Sequence, residues 1–184
     1  MGNKIKKNKG NNKSEFNWIV LTTLLAFIVS ALLAIVSELL IPEVSVLVNV
    51  IIIILFIAIN IISDTIGVAI QSAEIKVFNS MSAKKLKGAK TAINLIKNKE
   101  KVSSFCSDVI GDICGVLSGT SGLTIAYRLS VLFNANIVIS VALITSIITA
   151  FTIAGKALGK MYAAEKNNEL IYKVVKVLGI FSKN

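Results

Sequence analysis

Histidine is absent from the 184 residues, and arginine occurs once, at Arg128. The first absence removes imidazole metal sites and histidine-based acid–base catalysis. Proline also occurs once, at Pro42, where a tight turn between two helices tolerates the missing N–H. The two cysteines, Cys106 and Cys114, lie eight residues apart on one predicted helix. The helical rise separates them by about 12 Å, too far for a disulfide within that helix. They read as small packing residues. No nucleophile–base pair or cofactor motif stands out, so no enzymatic activity is expected. Charge is scarce as well, at 16% of residues, whereas hydrophobic residues make up 54%. A soluble domain of this length would expose far more charge.

The mean hydropathy is +0.77. Residues 18–40, 44–62 and 137–153 run almost without charge over membrane-spanning lengths. The chain is therefore expected to be an all-α, polytopic integral membrane protein. Four transmembrane helices are placed at about 17–40, 44–71, 105–127 and 135–157. A basic arm, 1–16, precedes this 17–157 membrane domain, a juxtamembrane segment fills 72–104, and a basic amphipathic helix follows over 158–184. The first apolar run is too long for a signal-peptide core and shows no clear cleavage site, so it is read as a retained span. Gly2 does not begin a myristoylation motif, because Lys6 stands where Ser or Thr is required.

The net charge of +10 is unevenly placed. Of the 20 positive residues, 19 fall in the N-terminal arm, the segment 71–105 and the tail from Lys156. The connection around 37–44 carries Glu38 and Glu43 without a Lys or Arg, and the one around 128–136 has only Arg128. Alternation of this kind is the positive-inside pattern, with both termini cytoplasmic. It assigns the basic surface to anionic lipid headgroups rather than to nucleic acid. The Lys-, Ile- and Asn-rich usage, with one arginine, suggests a bacterial cell membrane. In the juxtamembrane segment Ser82 can cap a helix running to about Asn98, with Leu86, Ala89, Ile93 and Ile96 on one face. Tyr162, Ile171, Val174, Val175, Leu178 and Phe181 make a second apolar stripe in the tail.

Within these spans sit Asp64, Asp108 and Asp112. A carboxylate at the centre of a span costs roughly 2.5–3.5 kcal/mol on insertion scales, so such groups face a protein-lined or wet site, or a membrane edge. Asn60, Asp64, Gly67, Gln71 and Glu74 are spaced by four, three, four and three, on one face of the second span. With Ser72, they offer the oxygens a hard cation such as Mg²⁺ requires. The alternative places this stripe in the headgroup zone, beyond a span already complete at Ile62. In the third span Gly111, Gly115 and Gly119 recur every four residues, the small-xxx-small pattern of close helix contacts. Asp108 suits a first turn, favoured by the helix dipole. Asp112 lies deeper, and both it and Asp64 fall about 10 Å from the same membrane face by helical rise. Carboxylates at one depth call for a cation or a shared proton.

These residues resemble the transmembrane domain of the CorB/cyclin-M magnesium transporters. Ser72 and Glu74 in Q-S-A-E stand near that family's Ser/Glu motif, and Gly111-Asp112 in I-G-D-I-C-G near its Gly-Asn motif. The likeness covers about 44–157, with an extra span in front. It implies a divalent cation, Mg²⁺ or another, as substrate and a homodimer as the assembly. The metal ligands would come from Asp64, Asp112, Glu74, Asp108, Ser72 and Asn60. No resident cofactor is implied, and the paired nucleotide-sensing domains typical of the family are expected to be missing. The competing expectation is a non-transporting membrane interaction or accessory protein whose glycine-rich third span binds a partner.

Overall fold

A computed structural model describes residues 2–40 and 45–181, with side chains over 16–35 and 45–177. The described residues form α-helices and no strand. The helices are α1 (Gly2–Leu40), α2 (Val46–Ser72), α3 (Ile75–Ala83), α4 (Ala89–Lys97), α5 (Lys99–Ser104), α6 (Gly111–Leu132), α7 (Ile137–Glu165) and α8 (Asn167–Phe181). A π turn, Phe105–Ile110, joins α5 to α6 without a break in the helical path. Four segments are long and apolar enough to cross a bilayer: Phe16–Ile35, Val46–Ser72, Lys99–Leu132 and Ile137–Glu165. The chain is a multi-pass helical membrane protein. Pro42, with the turn expected around it, lies outside the described residues, as do the side chains of Glu38, Glu43, Leu178 and Phe181.

The expected spans recur with shifted ends. The third helical path begins at Lys99 rather than 105, and α7 runs on to Glu165. At 1.5 Å per residue, the 27 residues of α2 and the 29 of α7 reach about 40 Å, beyond a hydrocarbon core of about 30 Å. The Ser72 end of α2 and the lysine-bearing end of α7 therefore stand at headgroup depth. The basic arm continues α1 as helix back to Gly2.

The helix expected from Ser82 to Asn98 is two helices. Ser82 lies inside α3, and its carbonyl accepts from the Lys85 N–H. Lys85 at φ 55° and Gly88 at φ 87° then reverse the chain before α4. Gly88 adopts the left-handed region at no steric cost, which makes it the break.

Hydrophobic burial concentrates at this end of the molecule. Ala69, Ile70, Phe78, Ala92, Ile96, Ala163, Ile171 and Val175 form one core from α2, α3, α4, α7 and α8. The juxtamembrane helices thus fold into a cap under the bundle, and Phe78, fully buried, contributes about 1.5–3 kcal/mol to it. Asn167 seals the joint: its Nδ2 donates to the Ser72 carbonyl at 3.1 Å, one of the carbonyls left over at the end of α2. Tyr162 belongs to α7 and stays exposed, under the Lys166 ammonium at 5.8 Å from its ring centroid.

Within the membrane, α2 is the central helix, packed on both α6 and α7, while α1 lies against α6 and the π turn. Two glycines set the α2–α7 distance. A Cβ on Gly155 would collide with Ile61, and one on Gly159 with Thr65. Close approach of this kind is how helices associate where lipid supplies no hydrophobic drive.

Candidate functional site

The 61/155 and 65/159 contacts bring the preceding residues of α2 opposite the lysines of α7. Asp64 is buried at 5% exposure, and its Oδ2 lies 3.4 Å from Lys160 Nζ. The Lys160 side chain is 53% exposed, so its head reaches the pair from outside. One turn deeper, Asn60 is 3% exposed. A Cβ on Gly111 would lie 3.2 Å from Asn60 Oδ1 and 3.6 Å from Lys156 Nζ. Asn60, Asp64, Lys156 and Lys160 therefore pair turn for turn across two helices, and Gly111 of α6 leaves the third wall open. Neither Asn60 Oδ1 nor Asp64 Oδ2 accepts a hydrogen bond. Buried acceptors without partners are rare in native structures, and each costs about 1–3 kcal/mol if left so.

Serines close the site toward the lysine-rich end. Ser63 Oγ donates to the Cys106 carbonyl at 2.6 Å, within the π turn. A Cβ on Gly67 would meet Ser107 Oγ at 2.5 Å and the Ser103 carbonyl at 3.1 Å, so α2 touches the start of the third span at its backbone. Single π turns inside α-helices are frequent at functional sites, because they shift the facing of residues on either side. No known protein-family model, curated protein or solved structure matches the chain.

The six residues expected as ligands do not form one shell. Among the described residues, no three His, Cys, Asp or Glu side chains gather in one place. Asn60 and Asp64 share the α2–α7 site. Asp108 and Asp112 instead line a groove of about 640 Å³ between α1 and the third span, with Trp18, Thr22 and Ser30. The reason is rotational: Gly111 faces Asn60, and the next residue turns by about 100°, toward α1. Asp108 is exposed and accepts from Ser104 Oγ at 2.8 Å. Glu74 is exposed at the residue before α3, beyond the end of α2, and makes no capping bond. Ser72 ends α2, its carbonyl taken by Asn167. Equal depth did not bring Asp64 and Asp112 onto the same face of the bundle.

Lys156 and Lys160 were the residues that sequence reasoning counted only as basic tail. Their signal is a repeat, Gly155-Lys156 and Gly159-Lys160, with the same four-residue step as Asn60 and Asp64. The glycine ridge also divides. Gly111 meets α2 and α7, and Gly122 meets Ile148 of α7, whereas nothing lies within 4 Å of a Cβ on Gly115 or Gly119.

Proposed function

We propose that the chain transports a divalent cation of the magnesium type, and that Asp64 and Asn60 bind it. The observation carrying this reading is the pair of buried oxygens, Asn60 Oδ1 and Asp64 Oδ2, one turn apart and without hydrogen-bond partners. Mg²⁺ keeps several of its waters and takes one or two carboxylates, so two protein oxygens are a sufficient anchor. Lys160 acts as a tethered counter-ion. Its ammonium neutralises Asp64 when no cation is bound and, being half exposed, withdraws when one arrives. The cation thus exchanges for a lysine, and Asp64 is never left as an unpaired charge in a low-dielectric setting. The CorB/cyclin-M resemblance agrees with this cargo, and the site is one of transport rather than catalysis. The basic arm, cap and tail face the cytoplasm of a cell membrane, against anionic headgroups.

A second reading rests on Gly115 and Gly119. With Ser118, Thr145, Thr149 and Thr152 they line a small open groove of about 170 Å³ on the outside of α6 and α7. A partner helix, or a second copy in a homodimer, would approach closely there. In a non-transporting interaction protein that groove would be the functional surface, and the Asp64–Lys160 pair only a clamp.

Titration calorimetry of the purified protein with Mg²⁺, Mn²⁺ and Ca²⁺ separates the two. Transport predicts that Asp64→Asn abolishes binding and that Asp112→Asn leaves it unchanged, because Asp112 faces α1. Equal binding by wild type and Asp64→Asn, or none by either, favours the interaction protein.

A further inference from the structure

The groove between α1 and the third span has two walls with the same step. Trp18, Thr22, Ala26, Ser30 and Ala34 recur every four residues along α1. Ser104, Asp108, Asp112 and Val116 recur every four along the third span. That step puts each row on one face of its helix. The two helices run the same way, as first and third spans must, and Lys101 stands over the Trp18 ring at the end nearer the cap. Beyond Trp18 the row on α1 holds only small side chains, whereas the row on the third span holds two carboxylates.

Packing within the chain leaves Asp112 unexplained. It follows Gly111, which stands level with Asn60. Asn60 lies 14 residues, about 21 Å, from the Val46 start of α2. Asp112 is therefore inside a hydrocarbon core of about 30 Å. It is nevertheless exposed, and with the described residues it makes no ion pair or hydrogen bond. Asp108, one turn nearer the cap, accepts from the Ser104 hydroxyl. Carboxylates at such depth pair with an opposite charge. The lysines of α7 do not face this groove: Lys160 is turned onto Asp64, and Lys156 toward Gly111. Arg128 stands 16 residues, about 24 Å, further along the third span.

We propose that this groove docks a transmembrane helix of a different membrane protein, one that presents a lysine or arginine to Asp108 and Asp112. The small row on α1 lets the partner's backbone approach closely, and the carboxylates on the facing row take its cation. A phospholipid fits less well. Its ammonium stays with the headgroups, about 9 Å above Asp112, and an acyl chain needs no row of small residues. The proposal is independent of the transport reading, because Asp112 faces away from the Asp64 site.

Trp18, the single tryptophan of the chain, lies in the groove and reports its occupancy. The probe is a synthetic helix of about 20 leucine and alanine residues, with one lysine about 9 Å from one end and dibromotyrosine at that end. Bromine quenches tryptophan on contact. In phosphatidylcholine vesicles holding the full chain, this peptide is expected to quench Trp18, and its counterpart with leucine for lysine is not. Asp108→Asn/Asp112→Asn is expected to weaken the lysine peptide about tenfold or more. Equal quenching by the two peptides, or equal affinity for wild type and the double variant, overturns the proposal. The peptide comparison needs no change in the protein, so misfolding of the variant does not shield it. Two further results assign the groove otherwise and overturn it as well. Stronger quenching by brominated phosphatidylethanolamine than by brominated phosphatidylcholine, with no effect of the peptide, gives it to a lipid. A dimer in sedimentation that the double variant dissociates gives it to a second copy.

Discussion

Lys160 is the residue whose removal tells most about the buried carboxylate. In Lys160→Met, Asp64 keeps its burial and loses its ion pair with Lys160. Leaving a buried carboxylate without its counter-ion should cost roughly 1–3 kcal/mol here, below the cost of breaking a fully buried pair because Lys160 is half exposed. The double variant Asp64→Asn/Lys160→Met should recover most of that loss, so a double-mutant cycle of thermal stability in detergent would show strong coupling. Added Mg²⁺ should stabilise Lys160→Met more than wild type, since the competing ammonium is gone and a ligand bound only by the folded state raises its stability. If Mg²⁺ shifts the melting temperature of both proteins equally, Lys160 is not the counter-ion. The polar half of this site was readable in advance. Asn60 and Asp64 stand out as polar groups in an apolar run, and their four-residue step puts them on one face. Periodicity states which residues share a face, but not which helix that face meets. Hence Asp112 was assigned to Asp64, when a single glycine before it turns it toward α1.

At the scale of helices, the glycines divide into those that are filled and those that are open. Gly155→Leu should lower thermal stability by about 1–3 kcal/mol, because Ile61 already occupies the space its Cβ would need. Gly115→Leu should leave the monomer's stability unchanged, as nothing lies within 4 Å of that position. The same variant should weaken any dimer formed through the open groove, which sedimentation in detergent would measure. Loss of monomer stability in Gly115→Leu would show that the groove is closed in solution. The sequence pattern of small residues every four positions could not make this distinction, since the repeat is identical for Gly111, Gly115 and Gly119. Helix ends were hidden for another reason. The lysines at Lys84, Lys85 and Lys87 look compatible with a continuous amphipathic helix, and only the backbone of Lys85 and Gly88 shows the reversal. In α8, the pair of Glu169 and Lys173 at 2.8 Å holds the Glu169 carboxyl below its ordinary range and the Lys173 ammonium above its own. Its support of that helix is thus lost as pH falls through the lowered carboxyl value, or rises through the raised lysine value.

The whole molecule has a charged end and an apolar end, and the cap explains why they differ. Hydropathy made the four spans legible, because a bilayer demands runs of a fixed length whatever they pack against. The cap was not legible as a unit, since its core draws single residues from α2, α3, α4, α7 and α8. Its position ties both chain ends to one side. Val175 of α8 belongs to the core with Ile96 of α4, and Lys101 lies 5.7 Å from the ring centroid of Trp18 at the start of the first span. On the proposed reading that side is cytoplasmic, as the positive-inside rule expects of the lysine-rich end. The opposite end carries Asn134 and Asn136 in the short turn between α6 and α7. Single cysteines at Asn12 and Ala135, in a chain lacking Cys106 and Cys114, test the assignment in whole cells. An impermeant maleimide should label Ala135→Cys and spare Asn12→Cys until the membrane is opened. The reverse pattern would place the Asp64 site near the outer face. Labelling at both positions would be incompatible with four spans, because the three spans between Asn12 and Ala135 put them on opposite sides.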